Sequence, residues 1–342
     1  MIHPDTRGQA RLFFQLGKKM GQAARAMALG GLCLMASPTV LAQGAGWPNK
    51  PIRIIVGFPA GGGPDVIARS LVPGLSEALG QPIVIENKAG LTGMLAADFV
   101  ARSVPDGHVF LMTSGSSMSI SVHTLERLPL DPQKDLVPMA AVARISLFLV
   151  GNVRQPFKTF AEMQSYARQN PGKLAYGSPG NGSAPHVATE MLKGQTGLTA
   201  VHVPYRGAAP ALQDLLGGSV DFLFDPGIAF EHVRAGKLNL LAVGSSKRSP
   251  LFPNVPTLQE LGVEGFDAGT THGLYGPAGT PKPVIDRINA EVNRLLQTAP
   301  VASGIRAQGA EPTQMTPAEF AAQIRRDSER YGAIVKARGI KE

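Results

Sequence analysis

Ile52-Arg-Ile-Ile-Val56, followed at once by Gly57-Phe-Pro-Ala-Gly-Gly-Gly63 and then by Ile67, Leu71, Leu75 and Leu79, decides the fold class. The first five residues are mostly β-branched and apolar and read as a buried strand. The glycines interrupt it with a loop free of bulky side chains. Apolar residues four apart then mark one face of a helix that stops at Gly80. Ile83-Val-Ile-Glu86 reads as a second strand, 92–103 as a helix and Phe110-Leu-Met-Thr113 as a third strand. This β-loop-α-β rhythm predicts an α/β protein with a parallel sheet and helices on both faces.

Further along, Ala140-Ala-Val-Ala-Arg-Ile-Ser-Leu-Phe-Leu-Val150 is long enough for a strand that leaves one domain and enters another. The rhythm then resumes with helix 159–169, an Asn170-Pro-Gly turn and strand 173–177. A second Gly/Ser loop at 177–183 leads into helix 185–193, strand 200–204, helix 208–216 and strands 219–224 and 238–243. Helix 282–297 carries Val284, Ile288, Val292 and Leu295 on one face, and a last helix spans 317–337. It opens with Thr316-Pro-Ala-Glu319, a capping box with proline at the first helical position. The 342 residues suit two domains.

Hydrophobic residues make up 44% and charged residues 17%, which excludes a disordered chain. The net charge of +8 is partly a property of the first 42 residues, which hold Arg7, Arg11, Lys18, Lys19 and Arg25 against Asp5. The remainder has 28 basic and 24 acidic residues, +4, without a like-charge run or a basic stripe, so no nucleic-acid partner is expected. Residues 1–42 have the layout of an export signal: a basic region to Arg25, an apolar run 26–36 and a Val40-Leu-Ala42 cleavage box. The apolar run, 11 residues, is short for a membrane-spanning helix, although an uncleaved anchor is the alternative. Cleavage after Ala42 would remove Cys33, the one cysteine, and with it any disulfide, thiolate nucleophile or cysteine metal site.

The first glycine loop lacks the lysine of a phosphate loop and the third glycine of a dinucleotide fingerprint. It still presents backbone N–H groups at a helix N-terminus, which suits a carboxylate. Asp65 fits either a cap for that helix or an acceptor for a ligand hydroxyl or amine. The second loop, Gly177-Ser-Pro-Gly-Asn-Gly-Ser183, repeats the arrangement, and Thr113-Ser-Gly-Ser-Ser117 is a third polar loop after a strand. Each is also compatible with an ordinary connection. His186 and Glu190 lie four apart, but two ligands do not make a metal site, so His186 is expected at the surface or in the first turn of its helix. Tyr205 and Arg206 suit a cleft wall or a surface turn, and Asp225 a ligand contact or a cap for the Pro226-Gly turn.

The chain resembles the Bug family, periplasmic solute receptors of tripartite tricarboxylate transporters. The matching stretches run in order over about residues 46–341: Trp47-Pro-Asn-Lys-Pro-Ile-Arg-Ile-Ile-Val56, Phe58-Pro-Ala-Gly-Gly-Gly-Pro-Asp65, Leu79-Gly-Gln-Pro82, Ile85-Glu-Asn87, Pro105-Asp-Gly107, Asn170-Pro-Gly-Lys-Leu174, His202-Val-Pro-Tyr-Arg-Gly207, Leu215-Leu-Gly-Gly218, Lys247-Arg-Ser249, Pro277-Ala-Gly-Thr-Pro-Lys-Pro283 and Ala307-Gln-Gly-Ala-Glu-Pro312. The resemblance implies a two-domain type II periplasmic-binding-protein fold, a Venus flytrap of mixed, mostly parallel sheets with flanking helices. It implies a small organic acid held by loop amides and water. The positions carried over are Phe58, Ala60, Gly61, Asp65, Thr113 and Ser114 in the first half, and Ser178, Gly182, Ser183, His186, Tyr205 and Asp225 in the second. Two departures stand out: Lys88-Ala-Gly-Leu-Thr-Gly93 replaces a more glycine-rich family loop, and no Trp or Phe adjoins Thr271-His272.

The resulting expectation is domain one at 46–148 plus 269–342 and domain two at 149–268, with the two crossing strands as hinge. Function is expected to be capture of a carboxylate in the periplasm for the membrane subunits of a transporter, by a monomer with no cofactor, metal or catalytic residue. A sensory receptor signalling to a membrane kinase is an alternative. So is a periplasmic hydrolase, which would need a nucleophile and base among Ser114, Ser178, Ser183 and His186. Backbone donors read the carboxylate and leave the rest of the acid undefined.

Overall fold

The computed structural model describes residues 46–341. The export-signal reading of 1–42 and Cys33 lie outside them. Strand β1 (Ile52–Val56) pairs in parallel with β2 (Ile83–Asn87) and β3 (Val109–Thr113). This core is extended by β10 (Thr270–Pro277), β4 (Leu136–Ile145) and β11 (Ala310–Pro312), all in antiparallel pairs, to give the order β11-β4-β10-β3-β1-β2. The second sheet has the same plan. Its β6 (Leu174–Ser178) pairs in parallel with β7 (Ala200–Pro204) and β8 (Phe222–Asp225), while β5 (Phe148–Asn152) joins β8 and β9 (Leu238–Val243) antiparallel, in the order β7-β6-β8-β5-β9. The antiparallel strands are largely those that carry the chain from one sheet to the other and back. The sheets form two lobes.

Helix α1 (Gly63–Leu79) follows the first glycine loop, buries Ile67, Leu71, Leu75 and Leu79, and ends at Gly80 in the left-handed conformation that glycine adopts freely. The expected helix 92–103 is a single 3-10 turn (Leu91–Gly93) followed by α2 (Met94–Ala101). The polar loop after β3 winds into α3 (Gly115–Ser119) and α4 (Ser121–Thr124), and α5 (Pro132–Asp135) precedes β4. The apolar run 140–150 is two strands, not one: β4 ends at Ile145 in the first sheet and β5 starts at Phe148 in the second. In the second lobe lie α6 (Phe160–Gln169), α7 (Ala184–Thr196), α8 (Ala208–Gly217) and α9 (Phe230–Arg234). Helices α10 (Lys282–Leu295), α11 (Ala299–Ala307) and α12 (Pro317–Arg338) complete the first. The capping box forms as read: Thr316 Oγ1 accepts from Glu319 N and the Glu319 carboxylate accepts from Thr316 N.

Helix α12 ties the lobes together. Gly273 of β10 leaves room for the Phe320 ring, which a Cβ would meet at 2.3 Å. Near its end, Tyr331 and Val335 pack with Ile120 and with Val187 of α7 in one apolar cluster.

Candidate functional site

The polar loops named from the sequence all follow strand C-termini, where an open α/β sheet leaves a crevice. In the first lobe, Gly61 N donates to Asp65 Oδ2 at 2.8 Å, Asn87 Nδ2 donates to Asp65 Oδ1 at 2.8 Å, and Arg69 Nε donates to Asp65 Oδ2 at 2.9 Å. Asp65 is buried in the first turn of α1, and its carboxylate ties the loop ahead of the helix back to it through Gly61 N. Burial pushes its carboxyl up, but the bonds from Arg69, Gly61 and Asn87 outweigh burial and hold it below the usual range. Phe58 is half-buried, its carbonyl accepting from Asn87 Nδ2 at 3.0 Å, and Ala60 is exposed. The Thr113 hydroxyl donates to Ser117 Oγ at 3.0 Å, and Ser114 caps α3 by accepting from Ser116 N. Gly115 N donates to Nδ1 of buried His272 at 3.3 Å. Burial holds that imidazole neutral, its pKa pushed down to about 3.

In the second lobe, Ser183 caps α7 by accepting from His186 N and donates its hydroxyl to Gly180 O at 2.7 Å. Gly182 N donates to His186 Nδ1 at 3.1 Å. His186 is in the first turn of α7, as one reading had it, but it is buried rather than at the surface. Helix α7 is covered by α12 at this end, which sequence spacing alone does not reveal. Ser178 is fully buried, and its Oγ meets Gly180 O at 3.0 Å, Gly180 N at 3.2 Å and His202 Nε2 at 2.7 Å. The Ser178 hydroxyl thus bridges Gly180 and His202, with donor and acceptor at Nε2 set by the imidazole tautomer. It is a brace for the loop. Tyr205 N donates to Ser178 O at 2.9 Å and its phenol donates to Asp214 at 2.7 Å. Asp225 Oδ2 accepts from Gly227 N and Ala229 N, so it caps its turn. Its other oxygen, Oδ1, is buried without a partner among the described residues. Burial outweighs these amides and pushes this carboxyl up to about 6.

The structure therefore gathers the twelve positions into two groups. Phe58, Ala60, Gly61, Asp65, Thr113 and Ser114 adjoin one another, since a Cβ on Gly57 would meet Thr113 Oγ1 at 3.0 Å. Ser178, Gly182, Ser183, His186 and Tyr205 form the second, with Asp225 at the end of the neighbouring strand. The lobes approach each other here, as a Cβ on Gly182 would lie 2.9 Å from Thr124 Oγ1 of α4. Two amides, those of Gly61 and Gly182, are engaged by the protein's own acceptors. Among the described residues the N–H groups of Ala60 and Asn181, one in each loop, donate to no protein acceptor. Sequence reasoning missed Asn87, Thr124, His202 and His272 as partners of these loops. His202 stood inside a quoted motif, but its register with Tyr176 across β6 and β7 follows only from strand pairing.

Two lobes facing each other across polar loops at strand ends define a two-lobed solute-binding protein. The sequence profile of the tripartite tricarboxylate transporter family receptor matches residues 67–340, and the chain belongs to that family. It is 36% identical over 298 residues to protein BugT of Bordetella pertussis, covering 86% of this chain and 91% of that one. Among solved structures, the Rhodopseudomonas palustris protein Rpa4515 with adipate superposes with a TM-score of 0.77 at 32% identity, covering 86% of this chain and 99% of that one. MatC from the same organism, with bound malate, gives 0.73 at 32% identity over 84% of this chain and all of its own. The periplasmic binding protein BugD gives 0.74 at 30% identity over 86% of this chain and 99% of that one. Among the described residues no helix is long and apolar enough to cross a membrane.

Proposed function

We propose that this receptor works in the periplasm as a monomer that encloses a small carboxylate between its lobes and presents it to the membrane subunits of a tripartite transporter. The lobes are residues 46–148 with 269–342, and 149–268, and the chain crosses between them at 146–147 and ahead of β10. One observation carries the reading: strand-end loops of both sheets face each other and each retains a backbone donor, at Ala60 and Asn181, that no acceptor among the described residues uses. The relatives solved with adipate and malate favour a di- or hydroxycarboxylate.

Helix dipoles alone do not suffice. The N-termini of α1 and α7 would each contribute about 0.3–1 kcal/mol to anion binding, up to about 2 when partly buried. Micromolar affinity needs about 8 kcal/mol, so several direct or water-mediated hydrogen bonds converge on the ligand. Asp225, with its unshared buried oxygen, is the group for a ligand hydroxyl or ammonium. Isothermal titration with malate and adipate, and with their dimethyl esters, tests this. Heat from the acids and none from the esters is expected. Equal binding of acid and ester would remove the carboxylate from the account, and abolition of binding by Arg206→Ala would replace the amide cradle with an arginine clamp.

A further inference from the structure

The second glycine loop is braced by a pair of histidines from two different elements. His186 of α7 and His202 of β7 stack with ring centroids 3.9 Å apart and planes 11° from parallel. Beyond them lies Tyr176 of β6, 4.8 Å from the His202 ring. His186 Nδ1 accepts from Gly182 N, and His202 Nε2 meets Ser178 Oγ, so each ring fixes one end of the loop. A backbone N–H can only donate, so Nδ1 of His186 carries no proton while this bond exists. Adding one places N–H against N–H at 3.1 Å and puts charge beside a stacked imidazole. The groups facing the stack divide. Glu190 of α7, which accepts from Tyr176 of β6 at 2.7 Å and lies 4.0 Å from Arg338 of α12, favours a cation. Lys193, bonded to that carboxylate at 2.6 Å, and the positive end of α7 oppose it.

We propose that His186 and His202 are positioning residues that clamp the second glycine loop in its binding shape, and that protonation of His186 breaks its bond to Gly182 and releases the loop. The loss of affinity that follows rests on the loop being a ligand contact, as proposed above. The release itself does not. Burial lowers both imidazoles, that of His202 to about 4, so the clamp is intact near neutral pH and opens in acid, below the ordinary histidine value.

The test is an NMR titration of the whole protein from pH 7.5 to 4.5, following the Gly182 amide and the His186 and His202 rings. Wild type is expected to shift its Gly182 amide with the midpoint of the His186 ring. His186→Asn, which can offer Oδ1 in place of Nδ1 and does not titrate, is expected to leave that amide flat. An amide that moves equally in both proteins, or a His186 ring that titrates without moving it, overturns the clamp. Should His186→Asn fail to fold, His202→Gln leaves the His186–Gly182 bond in place and is expected to keep the Gly182 amide shift tied to the His186 midpoint; an amide that no longer follows that ring overturns the clamp. Calorimetry with malate and adipate at pH 7.5 and 5.5 adds the ligand. Wild type is expected to lose more affinity than His186→Asn, by up to about threefold for a half-unit midpoint difference between free and bound protein. Ligand titration is common to both proteins and drops out of that ratio. Equal losses overturn the coupling to ligand. No binding at either pH overturns the carboxylate reading instead, and the amide titration still decides the clamp.

Discussion

Gly182 has φ of +70°, and a Cβ placed on it would come within 2.9 Å of Thr124 Oγ1 in the facing lobe. Gly172 has nearly the same conformation, φ of +75°, with nothing within 4 Å of a Cβ. Alanine at either position pays about 1 kcal/mol for the left-handed backbone, but only at 182 must the lobes also move apart. Gly172→Ala is thus expected to lower urea stability alone, and Gly182→Ala to lower it and to weaken binding of the proposed carboxylate about tenfold, an overpacking cost of about 1.4 kcal/mol. Matching affinities for the two variants would show that the lobes do not need this contact. Asp225 bears on pH. A carboxyl raised from 3.8 to about 6 in the folded state binds a proton there that the unfolded chain has already lost. Its contribution to stability is therefore whole below about pH 4 and fades as pH rises through 6, by on the order of 3 kcal/mol. Asp225→Asn keeps one acceptor for Gly227 and Ala229 and removes the titration. Urea midpoints should favour the variant over wild type more at pH 7.5 than at pH 4.5, and a gap independent of pH would contradict the assignment.

Between elements, the strand-loop-helix units were legible because one period of two and one of 3.6 flank a glycine loop, and β1, α1 and the capping box at Thr316 fall where the sequence puts them. Strand β10 was not. Its residues Thr270 to Pro277 are all buried, yet Gly, His and Pro mask the strand pattern, and Gly273 is there to admit Phe320. The break at 146–147 was equally hidden, since residues on both sides of it are apolar and only the pairing partners change. At the loops, sequence spacing located the residues but not which of them spend their hydrogen bonds internally. Asp65 is the clearest instance. Asp65→Ala leaves Gly61 N, Asn87 Nδ2 and Arg69 Nε without their common acceptor, and since water reaches all three donors a loss of about 1–2 kcal/mol is expected by urea unfolding. Its lowered pKa gives the sign: the stabilisation is present above the ordinary aspartate value and is lost as pH falls below it. The difference between wild type and variant should therefore shrink toward pH 3, and a constant difference would mean that packing rather than charge explains the loss.

Across the whole molecule, the enclosure proposed above needs a joint that bends without coming apart. Four charges from three segments meet where the chain passes between the sheets. Arg144 at the end of β4 bonds Asp267 at 2.7 Å and lies 3.6 Å from Asp327 of α12, while Arg330 of α12 bonds Asp327 at 2.8 Å and lies 3.6 Å from Asp267. Tyr331 donates to Gly269 O at 3.1 Å beside them. Burial pushes the Asp327 carboxyl above the ordinary aspartate range, with Arg144 and Arg330 pulling against it. Arg144→Met leaves two acids to share Arg330. Removing one partner from a buried network costs more than the network contributes, about 2–4 kcal/mol for a site that keeps some water access. Arg144→Lys restores the charge without the two-pronged geometry and should fall between. The joint also holds α12 against the segment entering β10, so the Met variant is expected to widen the spread of lobe angles. Small-angle scattering should then show a larger radius of gyration without ligand, and a smaller difference with the proposed carboxylate at saturation. A variant as stable as wild type to within about 0.5 kcal/mol, with unchanged scattering, would show that these charges are a solvated cluster and that the hinge is set by the strands alone.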